Sequence, residues 1–162
     1  MPARGLRFCA AAGPSLQCVA RLAKQEEESN VGSPGADAQA MKRYLEAVER
    51  KDWQAATAFW ADDVVLRFPG RSPFSGDFVG KEAFLEHYDR RREELGGTIE
   101  LAEVKEVFLG SERVVALVTE RAARGEKTME FERVNVYWWD GGEITEIRAF
   151  DYDPRALEEF FS

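Results

Sequence analysis

A segment with the pattern of a β-strand, Glu132–Gly142, carries polar side chains that can do chemistry within an apolar run, ERVNVYWWDGG. Because side chains alternate along a strand, Arg133 and Asn135 share one face. The aromatic residues predicted on the same face are Phe131, Tyr137 and Trp139. A guanidinium and an amide among aromatic rings indicate a pocket that offers both hydrogen bonds and apolar walls.

Arg133 sets a strong physical constraint, because a buried guanidinium does not lose its proton and needs an anionic partner. The sequence offers Asp151, Glu120 or the carboxylate of a substrate for this role. A structural ion pair is the simpler interpretation. Asn135 has the same two interpretations, as a donor to an oxyanion or as a core amide with satisfied hydrogen bonds.

Two residues are candidates for moving a proton. His87 is the only histidine of the chain, and in an apolar pocket it titrates near neutral pH and acts as a base. Asp151 is predicted to share a strand face with Ile147 and Ala149, and burial beside aromatic rings raises the pKa of an aspartate. The alternatives are a half-exposed His87 at a helix edge, and an Asp151 that is solvated or paired with an arginine.

Tyrosines and other aromatic residues complete the predicted pocket. Tyr44 and Tyr88 are candidates for a hydroxyl pair that polarises a carbonyl, or else are core tyrosines with satisfied hydroxyls. The residues expected to contact a ligand as walls are Trp60, Phe68, Phe84, Tyr88, Phe131, Arg133 and Tyr137.

A metal site and a cofactor are not expected. One histidine and two cysteines, Cys9 and Cys18, are too few for a zinc site or a disulfide framework, and there is no CxxC motif. Asp62 and Asp63 resemble a metal pair only superficially, since a solvated helix-to-strand corner accounts for them.

Helical signals come first in the chain. Apolar residues at helical spacing predict a first helix, namely Met41, Tyr44, Leu45 and Val48. Asp52 is expected to cap a second, short helix that buries Trp53 and Trp60. A third helix is expected between Gly80 and Gly96.

Strand signals follow and predict the fold class. The expected strands are 64–68, 99–109, 113–123, 127–139 and 143–152, with a loop at 69–76 and a short helix or lid after residue 153. Helices followed by a meander indicate an α+β fold. We expect a cone-shaped, curved antiparallel sheet that wraps around a pocket covered by the three N-terminal helices.

Composition divides the chain into a tail and linker at 1–35 and a domain at 36–162. Residues 1–24 carry four basic and no acidic residues and so have a charge of +4. Because the net charge of the whole chain is −8, the remaining residues have a charge of −12. A domain this acidic repels nucleic acid and anionic lipid. No segment approaches the roughly 18 apolar residues of a membrane-spanning helix. We therefore expect a cytoplasmic protein that binds neither nucleic acid nor membrane.

The apolar residues on the opposite face of the segment 127–139 predict an interface with a second protein chain. Val134, Val136 and Trp138 would lie together on the outside of the sheet. Large apolar groups clustered in this way usually mark an interface. We expect a homodimer through this face.

Three stretches carry a resemblance to a known superfamily. RYLEAVERKDWQAATAFWADDVVLRFPG, FVGKEAFLEHY and ERVNVYWWDGGEITEIRAF resemble the nuclear transport factor 2-like superfamily, and within it the SnoaL-like and ketosteroid-isomerase-like members. The resemblance covers about 36–153. It implies a cone-shaped α+β barrel, often dimeric, with a deep apolar pocket.

The resemblance also implies roles for particular residues. The isomerase's oxyanion tyrosine matches Tyr44, its supporting tyrosine matches Tyr88, and its protonated aspartate matches Asn135. Its general base falls on Phe68, which cannot accept a proton, so that isomerase mechanism is not expected here.

A second relative gives a similar outcome. Limonene-epoxide hydrolase has an Arg-x-Asp pair where this chain has Arg133 and Asn135, and its other catalytic aspartate falls near Ala149. Both acids are missing. The SnoaL-type polyketide cyclases place an acid/base aspartate in the same cavity.

Three functional hypotheses remain open. The first is an isomerase, cyclase or lyase acting on a small apolar carbonyl compound, in which Asn135 and Tyr44 hold the oxyanion and His87 or Asp151 moves the proton. The second is a non-catalytic protein that binds a small apolar ligand. The third is a protein-interaction module on the same fold.

Overall fold

The computed structural model describes residues 38–110 and 113–162, so the predicted tail and linker lie outside the described residues. Its helices are α1 (Ala38–Glu49), α2 (Trp53–Thr57), α3 (Lys81–Leu95) and α4 (Pro154–Phe161). Its strands are β1 (Trp60–Phe68), β2 (Gly76–Val79), β3 (Gly97–Leu109), β4 (Arg113–Arg124), β5 (Lys127–Asp140) and β6 (Glu143–Asp151). The expected α+β class is confirmed.

One six-stranded curved sheet forms the frame, in the order β2-β1-β6-β5-β4-β3. The neighbours from β6 to β3 are antiparallel, as expected, and the pair β1–β2 is antiparallel too. The pair β1–β6 is parallel. The last strand of the meander therefore returns to lie beside the first strand, which closes the sheet around the apolar interior.

Two details of the first strand region differ from the sequence-based expectation. Strand β1 begins at Trp60, which was expected in the second helix, and its pairing with β6 shifts between Trp60 and Val65. Strand β2 begins at the last residue of the expected loop, Gly76, and continues to Val79, where no strand was predicted. Trp53 was expected to be buried but is 36% exposed, since it lies at the rim of the cavity with its ring 6.1 Å from that of Tyr88.

Local signals fix the ends of the helices. Asp52 caps α2 by accepting a hydrogen bond from the Ala55 N–H at 3.0 Å, as predicted. Gly96 ends α3 in the left-handed conformation, with φ 57°. The helices α1 and α3 then pack on the sheet and leave a cavity between them.

The C-terminal helix α4 closes one end of the molecule. Asp153 caps it by accepting hydrogen bonds from Arg155 N and Ala156 N, both at 3.1 Å. Its buried residues, Leu157 and Phe161, join a second apolar cluster with Phe74, Ile99, Ala122 and Phe131. No helix in the described part of the chain is long and apolar enough to cross a membrane.

Candidate functional site

The cavity lies between the sheet and helices α1 and α3. The centre of a water-sized sphere can occupy about 100 Å³ of its volume. One water needs roughly 10–15 Å³ by this measure, so the cavity has room for several waters or a small organic molecule. Apart from three charged residues, the described residues lining it are apolar, aromatic or uncharged polar.

The three charged residues of the lining come from neighbouring strands. Arg133 on β5 pairs directly with Asp151 on β6. On the other side, Arg133 pairs with Val118 of β4, and Glu120 lies two residues further along. Directly opposite and diagonal positions on one sheet face are within reach of long side chains. The register of two strand pairs therefore brings both acids to one guanidinium.

Arg133 holds both carboxylates at hydrogen-bond distance. Its Nη1 lies 2.7 Å from Glu120 Oε2 and its Nε lies 2.6 Å from Asp151 Oδ1. The side chains of Glu120 and Asp151 are only 11% and 8% exposed. The rings of Phe68 and Phe131 lie 5.8 and 5.2 Å from the guanidinium carbon. The sequence left Asp151 and Glu120 as alternative partners, and the structure uses both.

Burial changes the pKa of Glu120 in the cluster of Glu120, Arg133 and Asp151. Removal of Glu120 from water raises the pKa of its carboxyl, although the charge of Arg133 acts in the opposite direction. With both acids ionised, the cluster of Glu120, Arg133 and Asp151 has a net charge of −1 inside an apolar cavity. A raised carboxyl pKa in such a place is typical of acid/base sites, and it is also found in structural ion networks.

A chain of uncharged polar groups extends from this cluster. The Asn135 side chain interacts with the carboxylate of Glu120 and the hydroxyl of Tyr137 and lowers the pKa of each. Tyr137 in turn contacts Tyr44, with ring centroids 5.5 Å apart. Burial raises the pKa of both phenols well above their ordinary value. Both hydroxyls therefore stay protonated at neutral pH and can donate hydrogen bonds.

The indole of Trp60 borders the same polar chain. Its N–H interacts with the Tyr44 hydroxyl and lowers the pKa of that group, but the geometry falls short of a full hydrogen bond. Among the described side chains, Trp60 Nε1 is one of the few buried polar atoms without a hydrogen-bond partner. The ring itself packs against Phe84, 5.9 Å away.

Tyr88 lines the cavity with its ring, but its hydroxyl is engaged elsewhere. It donates a hydrogen bond to the Ile99 carbonyl at 2.7 Å, and burial raises its pKa to about 12. The phenol that neighbours Tyr44 is Tyr137. The hydroxyl pair expected between Tyr44 and Tyr88 is therefore replaced by a pair from α1 and β5.

Two of the expected site residues lie outside the cavity lining. His87 has Nε2 3.0 Å from the carbonyl oxygen of Pro73, and its ring lies 4.8 Å from that of Phe78. Burial lowers the pKa of His87, with a further lowering from Arg91. Phe131 packs in the second apolar cluster and reaches the site only through the guanidinium of Arg133.

The other expected site residues are brought together in the lining. They are Tyr44, Trp60, Phe68, Phe84, Tyr88, Arg133, Asn135, Tyr137 and Asp151. At the position of the isomerase's base, the ring of Phe68 stacks on that of Phe84 at 5.3 Å. No cluster of three or more histidine, cysteine or acidic side chains that could hold a metal occurs among the described residues.

Sequence reasoning did not include Glu120 or the loop after β1 among the site residues. Alternation along β4 puts Glu120 on the same face as Val118 and Ala122, which are fully buried. An acid within an otherwise apolar strand face was the available signal. Ser72 and Phe74 of the loop carry no such pattern, and they reach the cavity only through the tertiary fold.

Comparisons with known proteins agree with this architecture. An uncharacterised Mycobacterium tuberculosis protein is 27% identical over 128 residues, which cover 78% of this chain and 97% of that protein. The structure of Bal32a, from a soil-derived mobile gene cassette, is 27% identical with a TM-score of 0.68, covering 77% of this chain and 95% of its own.

A proposed polyketide cyclase from Xanthomonas campestris has the same fold, at 20% identity and a TM-score of 0.61. The alignment covers 76% of this chain and 95% of that one. The family model for the SnoaL-like domain matches residues 41–147, which is most of the described domain. The chain therefore belongs to the SnoaL-like domain family.

Proposed function

We propose that this protein is an acid–base enzyme that moves a proton on a small apolar carbonyl compound, as an isomerase, cyclase or lyase. The observation that supports this function is the buried carboxyl of Glu120 in the wall of an aromatic cavity, next to a row of uncharged hydrogen-bond donors. A carboxylate whose pKa is raised is a stronger base than an exposed glutamate, so it accepts a proton more readily and can return it.

Each residue of the site has a separate role in the proposed proton transfer. The carboxylate of Glu120 takes the proton from the carbon next to the carbonyl and later returns it. Tyr44 donates a hydrogen bond to the resulting enolate oxygen, since burial keeps its hydroxyl protonated. Asn135 holds Glu120 and Tyr137 in place, and Arg133 keeps the cluster from accumulating two uncompensated charges. Asp151 positions Arg133, and His87 has no part in the step.

A test does not require the natural substrate. In D2O, an enzyme of this type catalyses deuterium incorporation beside the carbonyl of small cyclic ketones such as β-tetralone and 2-cyclohexenone, which proton NMR detects. We expect Glu120→Gln to reduce this exchange by about 10²-fold or more, in line with loss of a general base. The matched control is Glu130→Gln, which changes an exposed glutamate on β5.

Wild-type protein that gives no exchange above the buffer rate across such a panel would contradict the enzyme proposal. Equal exchange rates in the wild type and Glu120→Gln would remove Glu120 from the mechanism. Folding of each variant is checked by its near-ultraviolet circular dichroism, which reports aromatic packing around the cavity.

A non-catalytic binding protein is the second candidate, and one observation favours it. Both acids of the site are already engaged by Arg133, at 2.6 and 2.7 Å. A closed ion cluster of this kind also suits a purely structural role. A binder would retain ligand affinity, measured by calorimetry, while showing no exchange with any ketone.

We further propose a homodimer through the outer face of β5 and β6. Val134 and Val136 are half-buried there, and Phe150, which pairs with Val134, is 48% exposed. The guanidinium carbons of Arg113 and Arg148 lie 5.2 and 4.7 Å from the ring of Trp138. Sedimentation equilibrium should give twice the chain mass, and Val134→Glu should give monomers. A wild-type monomer at micromolar concentration would refute the dimer.

A further inference from the structure

The charge of the cavity wall restricts what the cavity can hold. Of the described residues that line it, only Glu120, Arg133 and Asp151 carry charge. Arg133 already donates through Nη1 to one carboxylate and through Nε to the other. An anionic ligand would therefore enter a cavity in which the one cation is already paired and the wall has a net charge of −1.

The uncharged part of the wall has the opposite preference. Aromatic rings make up much of it, and the face of an aromatic ring attracts a cation within about 6 Å of the ring centre. These rings are Tyr44, Trp53, Trp60, Phe68, Phe74, Phe84, Tyr88 and Tyr137. Ring faces and a net negative cluster in one partly enclosed space both favour a positive charge on the ligand.

We propose that the cavity binds small hydrophobic amines in their protonated form and rejects hydrophobic carboxylates of the same shape. The apolar part of the ligand lies among the aromatic rings, and the ammonium lies beside the carboxylates of Glu120 and Asp151. In this position it neutralises the cluster and donates hydrogen bonds to carboxylate oxygens. The proposal concerns affinity, so it holds whether or not the cavity also moves protons.

An enclosed, apolar position is what makes the charge of the ligand decisive. Interactions between charges are several times stronger at the effective dielectric constant of a protein than in bulk water. An ammonium gains from both carboxylates and from the ring faces, while a carboxylate leaves two like charges buried close together. An uncharged ligand of the same shape has neither effect, so it provides the reference.

The test uses three ligands that share one ring system. They are 2-naphthylmethylamine, 2-naphthylmethanol and 2-naphthoate, measured by calorimetry at pH 8, where an aliphatic ammonium is still charged and the carboxyls are more fully ionised. We expect one site per chain, with the amine about tenfold or more tighter than the alcohol, the fold-change that combined ring and charge contacts typically give. The carboxylate should bind more weakly than the alcohol.

Variants separate the cavity from general attraction to an acidic surface. The chain has a formal charge of −8, so weak binding of cations to its surface is expected. Glu120→Gln and Asp151→Asn each remove one charge from the cavity and should reduce the preference for the amine over the alcohol several-fold. Glu130→Gln removes one exposed charge and should leave the preference intact.

The proposal is overturned if the three ligands bind equally, if the carboxylate binds most tightly, or if the preference for the amine is undiminished in both cavity variants. If one cavity variant does not fold, the other and the wild-type comparison still decide the question. Deuterium exchange without a preference for the amine would refute only this inference. A preference for the amine without exchange would refute only the enzymatic function.

Discussion

Removal of the guanidinium at Arg133 should destabilise the protein in a way that depends on pH. We consider Arg133→Met, which keeps much of the side-chain length and volume while removing the charge. Glu120 and Asp151 then remain buried near each other without their shared cation. Each would have to hold a charge in an apolar wall or take up a proton.

The magnitude follows from the burial of the pair. Breaking a buried ion pair by removing one partner typically costs about 3–5 kcal/mol, because the remaining charge is uncompensated. For a domain of this size, each kcal/mol lowers the melting temperature by roughly 2–4 °C. We therefore expect Arg133→Met to melt about 10 °C below the wild type near pH 8.

The pH dependence has a definite sign. Without Arg133, the guanidinium charge no longer opposes the effect of burial, so the folded-state pKa of Glu120 lies further above its unfolded value of about 4. A carboxyl whose pKa is higher in the folded than in the unfolded protein contributes its full stabilisation at pH values below the unfolded pKa. That contribution is lost as the pH rises through the folded-state pKa. The gap between variant and wild type should be smallest near pH 4 and largest near pH 8.

Urea denaturation at several pH values, followed by tryptophan fluorescence, measures this gap. The control is Arg121→Met, which breaks a pair with Glu130 whose side chains are 54% and 55% exposed. Exposed pairs are worth about 0–1 kcal/mol, so this variant should stay close to the wild type. Adding Glu120→Gln to Arg133→Met should recover part of the loss. Equal losses in both arginine variants, or a gap that does not change with pH, would refute the reasoning.

Three further predictions concern single positions. Lys51 follows α1 with φ 58°, a left-handed conformation that strains any residue except glycine, so Lys51→Gly should raise the free energy of unfolding in urea by about 1 kcal/mol. Any contribution of the exposed ion pair between Lys51 and Glu100 is subtracted from this gain, and Lys51→Ala measures that contribution separately. A Cβ at Gly97 would lie 2.9 Å from the Ala123 carbonyl oxygen, so Gly97→Ala should cost about 1–3 kcal/mol, and an unchanged urea midpoint would contradict this close approach. The imidazole of His87 should titrate by NMR below its ordinary value of about 6.5, because burial lowers its pKa more than the hydrogen bond with the Pro73 carbonyl raises it, and a midpoint above that value would contradict this burial.

Local patterns were sufficient for the frame of the molecule. The helical spacing around Tyr44, the cap at Asp52 and the turn signals between the later strands each predicted an element that is present. Alternation also placed Arg133 and Asn135 on the buried face of β5. These signals act over a few residues, so a single sequence contains them in full.

The site depended on information that local patterns lack. Glu120 and Asp151 meet Arg133 only because two strand pairs have a particular register, and one residue of slip would turn a side chain to the other face. The sequence left His87 either in the cavity or half-exposed at the edge of α3 for a related reason, since a rotation of α3 by one residue decides whether it faces the cavity or the Pro73 loop. The parallel pairing of β1 with β6 joins segments more than 80 residues apart, and no turn signal marks it.

Stability alone gives little reason for the charged cluster. Replacing a buried ion triad with apolar side chains of similar volume is often neutral or even stabilising by 1–4 kcal/mol. A variant with Glu120→Leu, Arg133→Met and Asp151→Leu should therefore remain folded and melt at or above the wild-type temperature. It should also bind 2-naphthylmethanol at least as well as the wild type while losing any preference for the amine and any deuterium exchange. If it unfolds instead, the cluster is a structural requirement of the sheet. If it folds and keeps either activity, the ligand chemistry must reside in the aromatic wall and the phenol pair of Tyr44 and Tyr137.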